Sequence, residues 1–388
     1  MVTNKSNWTR PLVSDRQLLD AIDEATDSLL RRPVPAASRA LPDQVRLQAR
    51  QLLAEAGWLS RRGDLLPAPS GEHGCVVGLD LGGTKLRGAL ADCSGQIRAE
   101  LEQPTSNAAP DSALHQMIEM VRSLAVKAGL TPERLEGVAV GVPGVVDADG
   151  RVALSPNVAF DRRTPLGSTL EAAIGTSVDI DNDGNLAAFG EFTAGRGRTE
   201  NTQSLAFLTI GTGVGMGLIV DGNLLHGRSG AAGEIGYLPF GADPFAEAPK
   251  HPGGSFEAAV GSDAIRRAFR ASGGADRGVR DIFELAETGD ARAATVIDRT
   301  LRDIALGVGA VISLIDPGIV VVGGGVGARP GVAETIGRLT ATLVPTACRV
   351  VASALGDRAG VIGALAYARE QAKLRLIDGR DRRRGAVA

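Results

Sequence analysis

The sequence predicts an α/β protein of two similar lobes behind a small helical N-terminal region, on three observations. The first is a unit of strand, glycine turn, strand, polar turn and strand that occurs twice, about 130 residues apart. Its first copy opens with the apolar run Cys75-Val76-Val77-Gly78-Leu79-Asp80, passes through Gly82-Gly83-Thr84-Lys85 into a second strand, and turns at Asp92-Cys93-Ser94-Gly95 towards a third. Its second copy is a strand over Ser204–Ile210, the turn Gly211-Thr212-Gly213-Val214-Gly215, a strand over Met216–Val220 and the hairpin turn Asp221-Gly222-Asn223. The second observation is that helical spacing of apolar residues follows the strands, at 111–129, Ala293–Ile315 and Gly360–Leu374. The third is that residues 1–72 carry no such unit and read as helices, a hairpin and a linker.

In chain order, Leu18, Leu19, Ile22, Ala25, Leu29 and Leu30 predict a helix over Ser14–Arg32, capped by Ser14 or Asp15. A second helix is expected from Pro42, a good first-turn residue, to Ala56, where Gly57 stops it. Residues 58–66 read as a short hairpin and 67–71 as a linker. Within the first lobe a strand over Gly137–Val142 ends at Pro143-Gly144. Late in the chain the helix ending at Ile315 stops at Asp316-Pro317, and the strand Ile319–Val322 runs into the glycine segment Gly323–Gly327. The resulting division is an appendage over 1–72, a first lobe over 73–190 joined by the C-terminal helix 360–375, a second lobe over 191–359, and a basic tail over 376–388. That tail, with Arg380, Arg382, Arg383 and Arg384, reads as a solvated end.

Composition narrows the function. At 388 residues the chain can bury more than one core. A net charge of −3 gives no bulk attraction for nucleic acid or an anionic membrane. Cys75, Cys93 and Cys348 are odd in number and far apart, which argues against a disulfide framework and suits a reducing compartment. The N-terminal residues lack a signal-peptide core, and no run of eighteen apolar residues occurs, so a cytoplasmic protein with no membrane partner is expected.

Several positions can carry chemistry, each beside a purely structural alternative. Glycine turns placed directly after strands let backbone N–H groups approach phosphate oxygens, although such turns also close plain hairpins. Two of them, each with a Thr, can hold a triphosphate. Asp80, at the end of an apolar strand, can hold Mg²⁺ directly or through water, or cap its turn. Lys85 is a phosphate contact or a solvated turn residue. Asp183 and Asn182 stand where a strand enters a helix, and can serve as general base and hydroxyl ligand or cap that helix. Glu234 and Glu257 can accept hydrogen bonds from ring hydroxyls, or sit as ordinary surface acids. Gly323–Gly327 fits a glycine platform against adenine or ribose better than a dinucleotide fingerprint, because Pro330 follows at once.

Taken together, these motifs resemble the ROK (repressor, open reading frame, kinase) family of sugar kinases and sugar-responsive repressors. The matching residues come in that family's order: Leu79-Asp80-Leu81-Gly82-Gly83-Thr84-Lys85, Gly141-Val142-Pro143-Gly144, Asn182-Asp183-Gly184-Asn185, Ile210–Gly215 with Gly233-Glu234-Ile235-Gly236, and Asp316-Pro317 with Val322–Val326. The resemblance implies a two-lobed fold of the actin and hexokinase kind, with ATP and Mg²⁺ as cofactors in an interlobe cleft. It implies Asp183 as the catalytic base and Asn157, Asn182, Glu234 and Glu257 as sugar contacts. It also implies phosphates on Gly211-Thr212-Gly213 and on the Gly82-Gly83-Thr84-Lys85 turn, Mg²⁺ near Asp80, and adenosine near Gly324. A homodimer is common in folds of this type.

Two departures stand out. Tyr237 occupies the position where the family usually has His, and the loop over 241–255 contains no Cys, so a Cys₃His zinc site cannot be built. Packing or prolines are expected to hold this loop, and Tyr237 to alter which ring is accepted, a cyclitol being an alternative to a glucose-type hexose. The favoured function is an ATP-dependent sugar or cyclitol kinase. The alternative is a sugar-responsive transcriptional regulator, since Gln44–Leu66 resembles the last helix and wing of a winged helix-turn-helix. DNA binding is the less favoured expectation, because residues 33–41 leave little room for a middle helix and residues 1–72 show no clear basic face.

Overall fold

The computed structural model describes residues 17–22, 43–55, 74–92, 95–106, 111–153 and 165–385. The hairpin expected over 58–66, most of the first expected helix, and Asn157 lie outside these residues. Residues 17–22 are helical, with Leu18, Leu19 and Ile22 buried, and α1 runs Asp43–Glu55. By contact the chain divides into two units, Met1–Asp181 with Ala364–Ala388, and Asn182–Gly363.

The first unit is built on β1 (Cys75–Leu81), β2 (Lys85–Ala91), β3 (Ile97–Pro104), α2 (Ser112–Lys127), β4 (Leu135–Val142), the small hairpin β5 (Val145–Val146) and β6 (Val152–Ala153), α3 (Leu166–Ile174) and β7 (Val178–Asn182). Its sheet has the order β3-β2-β1-β4-β7, antiparallel from β1 to β3 and parallel between β1 and β4. The central strand β1 is buried at every residue except Asp80, which is only partly so. Met117, Met120, Val121 and Leu124 lie three and four apart on α2 and pack against Leu79, Leu90 and Val138.

The second unit contains α4 (Asp183–Thr193), α5 (Arg196–Glu200), β8 (Leu205–Ile210), β9 (Val214–Val220), β10 (Asn223–Leu224), α6 (Pro244–Glu247), α7 (Ser255–Val260), α8 (Ser262–Ala271), α9 (Val279–Glu287), α10 (Ala291–Ile315), β11 (Ile319–Gly323), α11 (Gly324–Gly327), α12 (Val332–Thr340) and β12 (Arg349–Ala352). Its sheet runs β10-β9-β8-β11-β12, antiparallel from β8 to β10 and parallel from β8 to β12. Ranked by chain order, each sheet places its third, second, first, fourth and fifth strands side by side. The repeat seen in the sequence is therefore a repeat of topology. Asp221 and Gly222 both have positive φ, as a two-residue hairpin turn between twisted strands requires.

In the glycine segment, Gly323 ends β11 and Gly324–Gly327 form the single helical turn α11. One expectation is corrected. The last helix, expected to stop at Leu374, continues as α13 (Ala359–Gly385) through the supposed tail. Lys373, Leu374, Arg375 and Leu376 are good helix formers with no proline among them. Tertiary contacts also extend it, because Ile377 is buried and Arg375 donates to Asp179 at 3.0 Å and to the Glu136 carbonyl at 3.3 Å.

Candidate active site

In the first unit the turn between β1 and β2 is fixed by its backbone. Gly82 N donates to Lys85 O at 2.9 Å, while Thr105 donates through N to Thr84 O at 2.9 Å and through Oγ1 to Gly82 O at 2.7 Å. Thr105 carries no motif signal and was missed in the sequence. Asp80 stands just before this turn, paired in register with Arg87. Burial pushes its carboxyl up to about 6, against the opposing pull of Arg87. A partly buried carboxylate with so little compensation is a fit place for a divalent cation. Lys85 and Arg87 both donate to Glu102, at 2.6 and 2.8 Å, and hold its carboxyl down at about 2. The structure thus places Lys85 in an exposed ion pair on the β2–β3 surface.

In the second unit two glycine segments emerge side by side. Strands β8 and β11 are parallel and in register, Thr209 opposite Gly323, so Gly211-Thr212-Gly213 and Gly324-Gly325 leave the sheet at the same end. A Cβ on Gly211 would have Gly325 N as its nearest neighbour, at 3.9 Å, and one on Gly325 would meet nothing within 4 Å. Gly324 has φ +80°, and a Cβ there would lie 2.5 Å from Ile210 O, so no other residue fits without moving the strand. This pair of bare backbone segments fits phosphates and a flat heterocycle.

Asp183 is the first residue of α4. The capping duty falls to Asn182, whose Oδ1 accepts from Asn185 N at 3.1 Å, while Asp183 Oδ1 accepts from Gly184 N at 2.9 Å. The helix start lies directly on β9: a Cβ on Gly217 would sit 2.3 Å from Gly184 O. Gly184 and Gly233 both pack against Met216, which brings the Asp183 and Glu234 segments to one point of β9. At the far end of α4 the buried Glu191 accepts from Ser353 Oγ, Leu355 N and Arg196 N, and so anchors the helix. Glu191 carries no motif signal in the sequence.

The third cluster joins Glu234, Tyr237 and Glu257. Phe256, fully buried, packs edge-on to Phe240 with ring centroids 5.3 Å apart. A Cβ on Gly307 would lie 2.4 Å from the Phe256 ring, so Gly307 leaves the slot that seats it. Glu257 follows and is thereby aimed. Its Oε2 accepts from Val214 N at 2.8 Å, and Gly213 and Gly253 flank it where a Cβ would come within 3.0 and 2.0 Å of its oxygens. Burial raises the carboxyls of Glu257 and Glu234, and the Glu257 charge raises Glu234 further. The loop that lacks cysteines is held by side chains instead. Tyr237 OH donates to Pro252 O at 2.8 Å, Asp243 caps α6, and Ser255 Oγ donates to Leu238 O at 3.1 Å and accepts from Phe240 N at 3.0 Å. A cavity of about 180 Å³ bordered by Thr212, Gly253 and Glu257 opens beside this cluster.

Paired α/β units of matching strand order, each with a glycine turn after its first strand, define an actin/hexokinase-like ATPase fold. Residues 76–371 match the ROK family, and the chain belongs to it. It is 29% identical over 313 residues to the bifunctional enzyme NanE/NanK of Brucella melitensis, covering 79% of this chain and 56% of that one. The chain thus spans about half the length of that relative. Among solved structures, a ROK family glucokinase from Streptomyces griseus in complex with glucose and AMPPNP is 26% identical, with TM-score 0.61, over 76% of this chain and 100% of that one. A ROK family transcriptional regulator, a homolog of the E. coli MLC protein, has the same fold at 21% identity and TM-score 0.74, over 92% of this chain and 97% of that one. No helix among the described residues is long and apolar enough to cross a membrane.

Proposed function

We infer that this protein is an ATP-dependent kinase that phosphorylates a hydroxyl of a sugar or sugar-like ring. The observation that carries this reading is Glu257, one carboxylate that touches the glycine turn suited to phosphates and also shares its electrostatic environment with Glu234 and Tyr237. The ROK glucokinase with glucose and AMPPNP supports it.

In this mechanism Glu234, Glu257 and the amide of Asn182 orient ring hydroxyls, and Asp183 takes the proton from the attacking one. The N-terminus of α4 favours negative charge at that position. Gly211-Thr212-Gly213 and the Gly82-Gly83-Thr84-Lys85 turn donate N–H groups to phosphate oxygens, and the adenosine lies near Gly324, beside the open backbone of Gly325. ATP supplies the phosphoryl group; Asp80 would hold Mg²⁺, which would supply positive charge to offset that of the phosphates. Tyr237, tied to Pro252, presents a fixed aromatic wall in place of an imidazole and tunes which ring enters, a glucose-type hexose or a cyclitol.

Release of ADP that depends on one ring, in a screen of hexoses, hexosamines and cyclitols with ATP and Mg²⁺, is the expected result. Silence across that panel, with salt-dependent binding to its own promoter DNA, would replace this reading with that of a regulator. A second expectation concerns pH. Glu234 and Glu257 must be ionised to accept from hydroxyls, and both titrate above the ordinary carboxylate range. The acid limb of kcat/KM for the ring should therefore lie above about pH 4.3, the usual glutamate value. Glu257→Gln removes the charge that raises Glu234, so in that variant the limb should move to lower pH. A limb that stays in place would exclude Glu234 from ring binding.

A further inference from the structure

The turn over 211–213 is not held by its own strands alone. Its entry is fixed where Ser262 N donates to Gly211 O at 2.8 Å, and its exit where Val214 N donates to Glu257 Oε2 at 2.8 Å. Both partners belong to one rigid corner, because Gly261 N donates to Glu257 O at 2.8 Å and links the end of α7 to the start of α8. Phe256, locked in the Gly307 slot, sets the position of that corner. Glu257 Oε1 points the other way, over Gly253.

We propose that Glu257 is a positioning residue for the nucleotide as well as a ring ligand: one oxygen fixes the phosphate turn through Val214 N while the other faces the ring site. The proposal rests on the kinase reading above. Its physical content is that the two duties belong to different atoms and can be separated. A Gln at 257 keeps an amide oxygen for Val214 N and puts an NH₂ where the ring acceptor was. An Asp keeps the charge but is one methylene too short to reach Val214 N. An Ala loses both duties.

The test is titration of AMPPNP with Mg²⁺ into the full-length protein, alongside KM for the ring substrate found in the screen. Glu257→Gln is expected to raise KM for the ring about tenfold or more and to leave AMPPNP affinity within about twofold of the parent. Glu257→Asp and Glu257→Ala are expected to weaken AMPPNP about tenfold as well. Should Glu257→Ala fail to fold, the contrast of Gln with Asp still decides. Equal AMPPNP affinity in Gln, Asp and Ala variants overturns the positioning role and leaves the kinase intact. No AMPPNP binding by the parent protein overturns both.

Discussion

Asp183→Asn is expected to lower kcat by about 10²–10⁴, the range typical of removing a general base, while KM for ATP changes little. The substitution isolates the chemistry because the fold does not depend on the charge. Asn182 performs the capping, and an Asn at 183 still offers an oxygen to Gly184 N. The start of α4 is held independently by the Gly184–Gly217 approach and its other end by Glu191. The melting temperature should therefore stay within a few degrees of the parent. Steady-state kinetics with the accepted ring check this directly, and near-normal turnover in a folded variant would remove Asp183 from the mechanism.

Asp80→Asn is expected to do two opposite things: abolish most Mg²⁺-dependent turnover and raise stability above pH 6. The second effect follows from the raised carboxyl. With a folded value near 6 against 3.8 for a free Asp, the folded protein carries the cost of a buried charge wherever the pH exceeds 6. As pH falls from 6 towards 3.8 the folded protein takes up a proton that the unfolded chain does not, and that cost disappears. The variant should accordingly be more stable by roughly 3 kcal/mol at pH 7 to 8, with the advantage fading towards pH 4. Melting curves across this range test the sign. ATP with Mg²⁺ should raise the melting temperature of the parent more than that of the variant, since a cation near Asp80 rewards the charge that the bare protein disfavours. A variant less stable than the parent at pH 8 would mean that Asp80 is a structural acid.

How much was legible in advance depended on the range of the interaction. The two strand–turn–strand units, the helix ending at Asp316 and the strand entering α4 are local patterns, and their apolar periodicity and glycines showed them directly. Candidate residues next to those glycines, such as Asp80, Asp183 and Glu257, could be named for the same reason. Their alternatives could not be decided locally. Whether Asn182 or Asp183 caps α4 depends on which side chain reaches Asn185 N, and Lys85 meets Glu102 only because β2 and β3 are paired in one register. Thr105, Glu191 and Val214 N left no trace because each acts through a partner distant in the chain.

The sequence by itself determined the family, the doubled α/β plan and the impossibility of a cysteine-bound zinc in the loop before Glu257, since residue identity and short-range periodicity suffice for all three. Tertiary structure alone decided that Arg375 ties α13 to Asp179, that Tyr237 and Ser255 hold that loop, and that Glu257 reaches the turn over 211–213. Those outcomes depend on which distant groups are brought within about 3 Å of one another, and hydrogen bonds of that length are set by packing, not by spacing along the chain.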